Sequence, residues 1–307
     1  MPDIAIIGSN NVDLITYIRR MPVEGETIEA PDFALGCGGK GSNQAIAASR
    51  LGSRILMLTC VGDDSFAQMT LQNYRDNGIS TDYVKQVSGT SGVAPIFVDE
   101  QSRNSIIIVK GANNGLLPED VYAVREKIAQ CALIVLQLEI RLETVYAAIE
   151  VGNELGVPVL LNPAPASPDL DLSWATRCDY VVPNETELAL LTGLPTDTDE
   201  QVRTAAQVLL DGGCRHVIVT LGSRGVLWLG PQGEDVLVPA LSVEAVDTTG
   251  AGDAFIGCFV DSLTRGAEIP AALERANAYA ALSVTGRGTQ SSYPTREIFE
   301  QWVAALQ

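Results

Sequence analysis

The stretch VDTTGAGDAFIGCFVDSLTRG, Val246 to Gly266, decides how this chain is read. Ala254 to Arg265 has helical character and Gly266 is a suitable stop, so Gly250, Ala251, Gly252 and Asp253 fall in the first turn of a helix. Small residues there leave backbone N–H groups bare at the positive end of the helix dipole, which makes an anion hole. A carboxylate is an unhelpful neighbour for a phosphate unless it has a chemical task. Taken alone, Asp253 reads equally as a helix cap and as a base that accepts a hydroxyl proton while the hydroxyl attacks a phosphoryl group.

A second glycine loop, GCGGKGSNQA from Gly36 to Ala45, stands about two hundred residues earlier. Gly36, Gly38 and Gly41 satisfy the dinucleotide fingerprint G-x-G-x-x-G, and Gly39-Lys40 resembles the end of a P-loop. Both matches fail on context. The first strand-like run, IAIIG, ends at Gly8, and the position where a ribose-binding acid belongs falls on ILMLTCVG. Gly41 stands where a P-loop needs Ser or Thr for magnesium. A nicotinamide-dependent dehydrogenase therefore has no support beyond the accidental fingerprint.

Between the two loops, apolar strand-like runs alternate with helical segments: RILMLTCVG before DSFAQMTLQNYRDNG, ALIVLQLE before LETVYAAIEVGNELG, then VPVLLNP, YVVPN before ETELALLTG, and HVIVTLG. This alternation predicts an α/β fold, a mainly parallel sheet flanked by helices on both faces, with ligands beyond the carboxyl ends of the strands. Two segments break the pattern. Val12 to Ala30 and Gly92 to Lys110 read as extended, the second turning near Gln101 to Arg103, with Pro95 expected to put its strand at an edge. They are expected to form a small β-sheet lid over the site that also pairs with a second subunit. The 307 residues read as one domain, 1–307, carrying the lid segments 12–30 and 92–110.

Composition removes other classes. A formal charge of −18 disfavours nucleic acid and anionic membrane as partners. No apolar run approaches the roughly 18 residues of a membrane span, and the start MPDIAIIGSNN enters a strand without a signal-peptide pattern, so the expected location is the cytoplasm. The six cysteines are scattered, with one histidine, His216, and no C-x-x-C, which points to reduced, mostly buried thiols.

Together, GCGGKGSNQAIAASRLG and DTTGAGDAF resemble the two signatures of the ribokinase, or PfkB, family of sugar kinases, and GSNNVDL, QLE, NPAPA, PNETE, TLGSRG and GTQSSYP follow in the family's order. The likeness spans nearly the whole chain and is greatest to the family's ribokinases and deoxyribokinases. It implies transfer of the γ-phosphoryl of ATP to O5 of D-ribose, with 2-deoxy-D-ribose as the alternative substrate, or, in a different class, a sugar-binding sensor without catalysis. By resemblance, Asp253 is the base and Gly250, Ala251 and Gly252 complete the anion hole, with Gly252 also against the nucleotide. Asn11, Asp13, Gly38, Gly39, Lys40, Asn43 and Glu139 hold the sugar. Asn184, Thr220, Gly222, Gly225 and Asn277 serve the nucleotide. Glu187 organises Mg2+ through water, while Asp247, Ser292 and the carbonyls of Thr249, Ser283, Gly286 and Gly288 enclose K+. Arg287 is expected to face the nucleotide phosphates, and the lid to make a homodimer.

Overall fold

In the computed structural model, which describes residues 3–101 and 104–306, thirteen strands are present among the described residues. In chain order they are β1 (Ile4–Ile7), β2 (Asn11–Tyr17), β3 (Asp32–Gly38), β4 (Ile55–Val61), β5 (Val84–Gln86), β6 (Val93–Val98), β7 (Asn104–Ile106), β8 (Leu133–Leu136), β9 (Val159–Leu161), β10 (Tyr180–Val181), β11 (His216–Thr220), β12 (Val226–Leu229) and β13 (Asp235–Val238). Nine form one sheet in the order β13-β12-β11-β10-β9-β8-β1-β4-β5. Pairing is parallel from β5 across to β11 and antiparallel through β12 and β13.

The sheet is covered on both faces, which is why its strands read as unbroken apolar runs. Ile4 and Ile6 point to one layer with Ala47, Phe255 and Phe259, from the helices Lys40–Arg50 and Ala251–Thr264. Ala5 and Ile7 point to the other with Val145, Ile149 and Ala205, from the helices Leu142–Leu155 and Asp199–Asp211. The helices Lys40–Arg50 and Ala251–Thr264 approach closely at Gly257, where an added Cβ would lie 2.4 Å from Ala47 Cβ. That contact brings the start of both helices to the same end of the sheet.

The lid is a separate four-stranded sheet, β3-β2-β6-β7, in which β2 and β6 are parallel and the outer pairs antiparallel. Its outer strand β3 lies beyond the expected 12–30 segment and runs into the glycine loop itself. The expected turn of the second segment falls partly on Ser102 and Arg103, outside the described residues. Pro95 is in an interior strand, not at the edge the sequence suggests. Its missing N–H faces the β7 side: Ile107 donates to the Pro95 carbonyl but receives nothing back, and the ladder stops at Ile106 before a single bridge joins Val93 to Val109. Among the described residues no helix is long and apolar enough to cross a membrane, and all six cysteines are free thiols, five of them buried.

Candidate active site

The site is assembled where the parallel strands end. Asn10 follows β1, Asn11 opens the lid strand β2, Gln137 to Glu139 follow β8, Asn162 follows β9, Asn184 follows β10, and Thr220 closes β11. The lid strand β2 adds Asp13, and the two glycine loops add the starts of their helices. Two cavities meet there. One, of 360 Å3, is lined by Asn11, Asp13, Gly39, Asn43, Glu139 and the lid residues Ile106 and Ile108. The other, of 200 Å3, is lined by Asn184, Glu187, Thr220, Ala251 and Gly252 among others. Lys40, Gly250 and Asp253 belong to both.

Asp253 is 6 % exposed and held from both sides. Asn43 Nδ2 donates to its Oδ2 at 2.9 Å, and Gln44 Nε2 donates to its Oδ1, also at 2.9 Å. Gln44 accepts in turn from Gln137 at 2.7 Å. The helix carrying Asp253 is capped by Gly250 in the left-handed region, φ 78°, with no side-chain cap. Asp253 is thus not the helix cap, which removes the structural alternative left open by the sequence. Ala251 N–H turns back to the Thr248 carbonyl at 3.3 Å, while the N–H groups of Gly252 and Asp253 have no acceptor among the described residues. A Cβ added to Gly252 would meet nothing within 4 Å, so this turn faces open space.

Five charged side chains, Asp13, Lys40, Glu139, Glu187 and Asp253, crowd the junction. Asp13 is pushed up to about 7 by burial first, then by the charges of Glu139 and Asp253. Burial pulls Lys40 down, but Asp253, Glu139 and Glu187 together hold it above its ordinary value. Burial raises Glu187. Glu139 Oε2 accepts from Ser9 Oγ at 2.6 Å, from the Lys40 amide at 3.0 Å and from Asn11 Nδ2 at 3.4 Å. The other end of the Asn11 amide accepts from Asn113 Nδ2 at 2.9 Å.

Of the two glycines expected at the sugar, only Gly39 lines the cavity. An added Cβ on Gly38 would fall 2.3 Å from Asp13 Oδ1, so Gly38 clears space for the carboxylate and is not among the residues lining the cavity. Gly39 lines the cavity in a left-handed conformation, φ 87°, with Asn11 N only 2.6 Å from its Cβ position.

Asn184 and Glu187 form a reciprocal capping box on the helix Glu185–Thr192, each side chain accepting from the other's backbone N–H at 2.8 Å. Glu187 Oε1 has no protein partner among the described residues and its residue lines the second cavity. One carboxylate beside waters and phosphates is a donor set that suits magnesium, and among the described residues no group of three His, Cys, Asp or Glu is arranged so that it could hold a metal ion by itself.

Other expected residues are set back. Gly222 and Gly225 bound a tight turn beyond Thr220 whose Arg224 pairs with Glu185 and Asp199. Asn277 donates to the carbonyls of Val238 and Pro239. Arg287 lines the grooves beneath the lid with Ile15 and Tyr17 and is not among the residues lining the cavity of Asn184 and Thr220. Asp247 ties two loops, accepting from Thr249 N and Gly288 N at 2.9 Å each. Ser292 Oγ donates to the Thr289 carbonyl at 2.8 Å, and Ser283 Oγ to that of Ala280. The Gly286 Cβ position lies 3.0 Å from Ser292 Cβ and 3.8 Å from the Ser283 carbonyl oxygen, so the turn packs closely on Ser283 and Ser292, and its carboxylate, hydroxyl and carbonyl oxygens are of a kind that fits a monovalent cation.

Sequence reading missed Gln44, Asn113, Gln137, Asn162 and Gln290. Their signal was faint: uncharged amides in otherwise apolar strand ends and helix starts, each buried and each hydrogen-bonded to a site residue or its neighbour.

A polar cavity and an anion-binding cavity that share one carboxylate define a phosphotransferase acting on a small hydroxylated acceptor. The chain belongs to the pfkB family of carbohydrate kinases, whose model matches residues 1–296. It is 57 % identical over 303 residues to a deoxyribokinase of Salmonella typhi, covering 98 % of this chain and 99 % of that one. It is 42 % identical to a ribokinase of Schizosaccharomyces pombe, over 96 % of both chains. The structure of Arabidopsis thaliana ribokinase complexed with ribose and ATP superposes with a TM-score of 0.90 at 32 % identity, covering 98 % of each chain.

Proposed function

We propose that the enzyme transfers the γ-phosphoryl of ATP to the 5-hydroxyl of a D-pentose, with 2-deoxy-D-ribose preferred over D-ribose. The observation that carries the reaction is Asp253 at the junction of the two cavities. Its carboxylate takes the 5-hydroxyl proton as O5 bonds to the γ-phosphorus and the bond to ADP breaks. The free amides of Gly252 and Asp253 stabilise the charge on the transferring group, and Lys40 adds a positive charge reaching both cavities. Asp13 accepts from ring hydroxyls. Magnesium held beside Glu187 would neutralise the phosphates of ATP, and potassium within the Asp247, Thr249, Ser283, Gly286, Gly288 and Ser292 turn would stiffen the loop before Gly250.

The sugar preference rests on Asn11. From the sequence, Asn11 beside Asp13 is the natural partner of a 2-hydroxyl and favours ribose. Its amide is instead engaged at both ends, by Glu139 and Asn113, which leaves less for a 2-hydroxyl to gain. The 57 % identity to a deoxyribokinase supports the same order. D-ribose is the second reading, favoured by the ribokinase relatives and by the ribose complex of the Arabidopsis neighbour. Measuring kcat/KM for both sugars with ATP decides: an excess for 2-deoxy-D-ribose is expected, and a large excess for ribose would reverse the assignment. Replacing Asp253 with Asn should lower turnover by on the order of 10²- to 10⁴-fold with either sugar.

A further inference from the structure

The C-terminal segment Thr289 to Tyr293 lines the first cavity only through Thr289, yet it contacts both halves of the chemical centre. Gln290 is 5 % exposed, and its Nε2 donates to Asn43 Oδ1 at 2.9 Å and to Ser42 Oγ at 3.0 Å. Its Oε1 accepts from Asn73 Nδ2 at 2.8 Å, on the helix Ser65–Asp76. Three residues on, Tyr293 donates its hydroxyl proton to the Gly250 carbonyl at 2.9 Å, at the anion hole. Arg50 anchors the segment from the first-loop helix by donating to the Gln290 and Tyr293 carbonyls.

The order of donors and acceptors matters more than the contacts. A side-chain amide has one accepting and one donating end, and its neighbours decide which way it faces. Asn73 donates to Gln290, so Gln290 must present its N–H groups to Asn43. Asn43 must then accept with Oδ1 and present Nδ2 to Asp253. Reversed, Asn43 would set a carbonyl oxygen against the Asp253 carboxylate. We propose that Gln290, steered by Asn73, is a positioning residue that orients Asn43 so that it donates to the catalytic carboxylate.

This inference rests on Asp253 being the base. A hydrogen bond donated to a carboxylate favours its ionised form over the protonated one, so variants that lose the relay should need a higher pH for full activity. The other charged or titratable groups facing Asp253 are Lys40 from the first-loop helix, Asp13 from β2, Glu187 from the Glu185–Thr192 helix and Tyr293 from the C-terminal segment. None of them is substituted when Gln290 or Asn73 is changed, so any titration they add is common to the enzymes compared.

The experiment is the pH profile of kcat/KM for ATP at saturating pentose for the unaltered enzyme, Gln290→Met, Asn73→Leu and Asp253→Asn. Gln290→Met keeps length while removing the donors; Asn73→Leu, outside both cavities, leaves Gln290 free to turn. The acid limb should move up by on the order of one pH unit in Gln290→Met and in the same direction, by less, in Asn73→Leu. A structural role alone would lower stability or the amplitude without moving the midpoint. If Asp253→Asn is inactive but both relay variants keep the midpoint of the unaltered enzyme, the relay is overturned and the base stands. Near-normal turnover in Asp253→Asn would remove the base, and the relay with it.

Discussion

Asp13 carries an unusual load for a carboxylate on a lid strand. Burial, Glu139 and Asp253 push it up to about 7, against roughly 3.9 in an unfolded chain. Between these values the folded chain binds the proton that the unfolded chain has lost. Stability contributed by Asp13 is therefore complete below about pH 4 and is lost as pH rises through about 7. Asp13→Asn should flatten the fall in Tm between pH 5 and 7.5. Sugar binding should run the other way, because an ionised carboxylate accepts hydroxyl protons better than a neutral acid. Calorimetric titration with the preferred pentose should give tighter binding at pH 8 than at pH 6, and Asp13→Asn should bind weakly with no such trend. The residue type and position were legible in GSNNVDL, but the proton affinity was not, since Glu139 and Asp253 are distant in sequence.

Among the elements, the start of the Lys40–Arg50 helix shows how tightly the lid and the main sheet are joined. Gly39 turns the chain from lid strand β3 into that helix with φ 87°, against the backbone of Asn10 and Asn11. Gly39→Ala combines a left-handed non-glycine residue with a contact that only backbone movement can relieve. It should cost about 1–3 kcal/mol or more and lower kcat/KM for the sugar far more than for ATP, a split visible in steady-state kinetics with Tm measured alongside. The helices and the buried strands of the main sheet follow from periodicity and apolar runs, because both are local. Strand β3 did not: its glycines read as loop, and only the Asp13 carboxylate lying over Gly38 explains why that strand position has no side chain. Pro95 was misread for a related reason. The rule that proline belongs at an edge concerns its missing N–H, and here that N–H faces the broken β7 rather than solvent.

For the whole molecule, the lid presents Phe33, Leu35, Ile107 and Val109 outward, each about half exposed, on a chain of strongly negative charge. Charge of one sign keeps molecules apart, so association needs a concentrated apolar patch, and the lid supplies one. We propose that two lids pair. Sedimentation should give a dimer, and Leu35→Lys should give a monomer with weakened sugar binding.

The sequence by itself determined the alternating α/β architecture and the two glycine loops, because each is a pattern local to one turn, strand or helix start, while Asp13, Lys40, Asn184, Glu187 and Asp253 were given their roles through the resemblance to the sugar-kinase family. Only the tertiary structure decided that Asp253 is held by Asn43 and Gln44, that Asn11 is spent on Glu139 and Asn113, and that Gln290 reaches Asn43 across 247 positions of chain. Hydrogen-bond direction among buried amides is set by whichever partners packing brings together, and no local pattern records it.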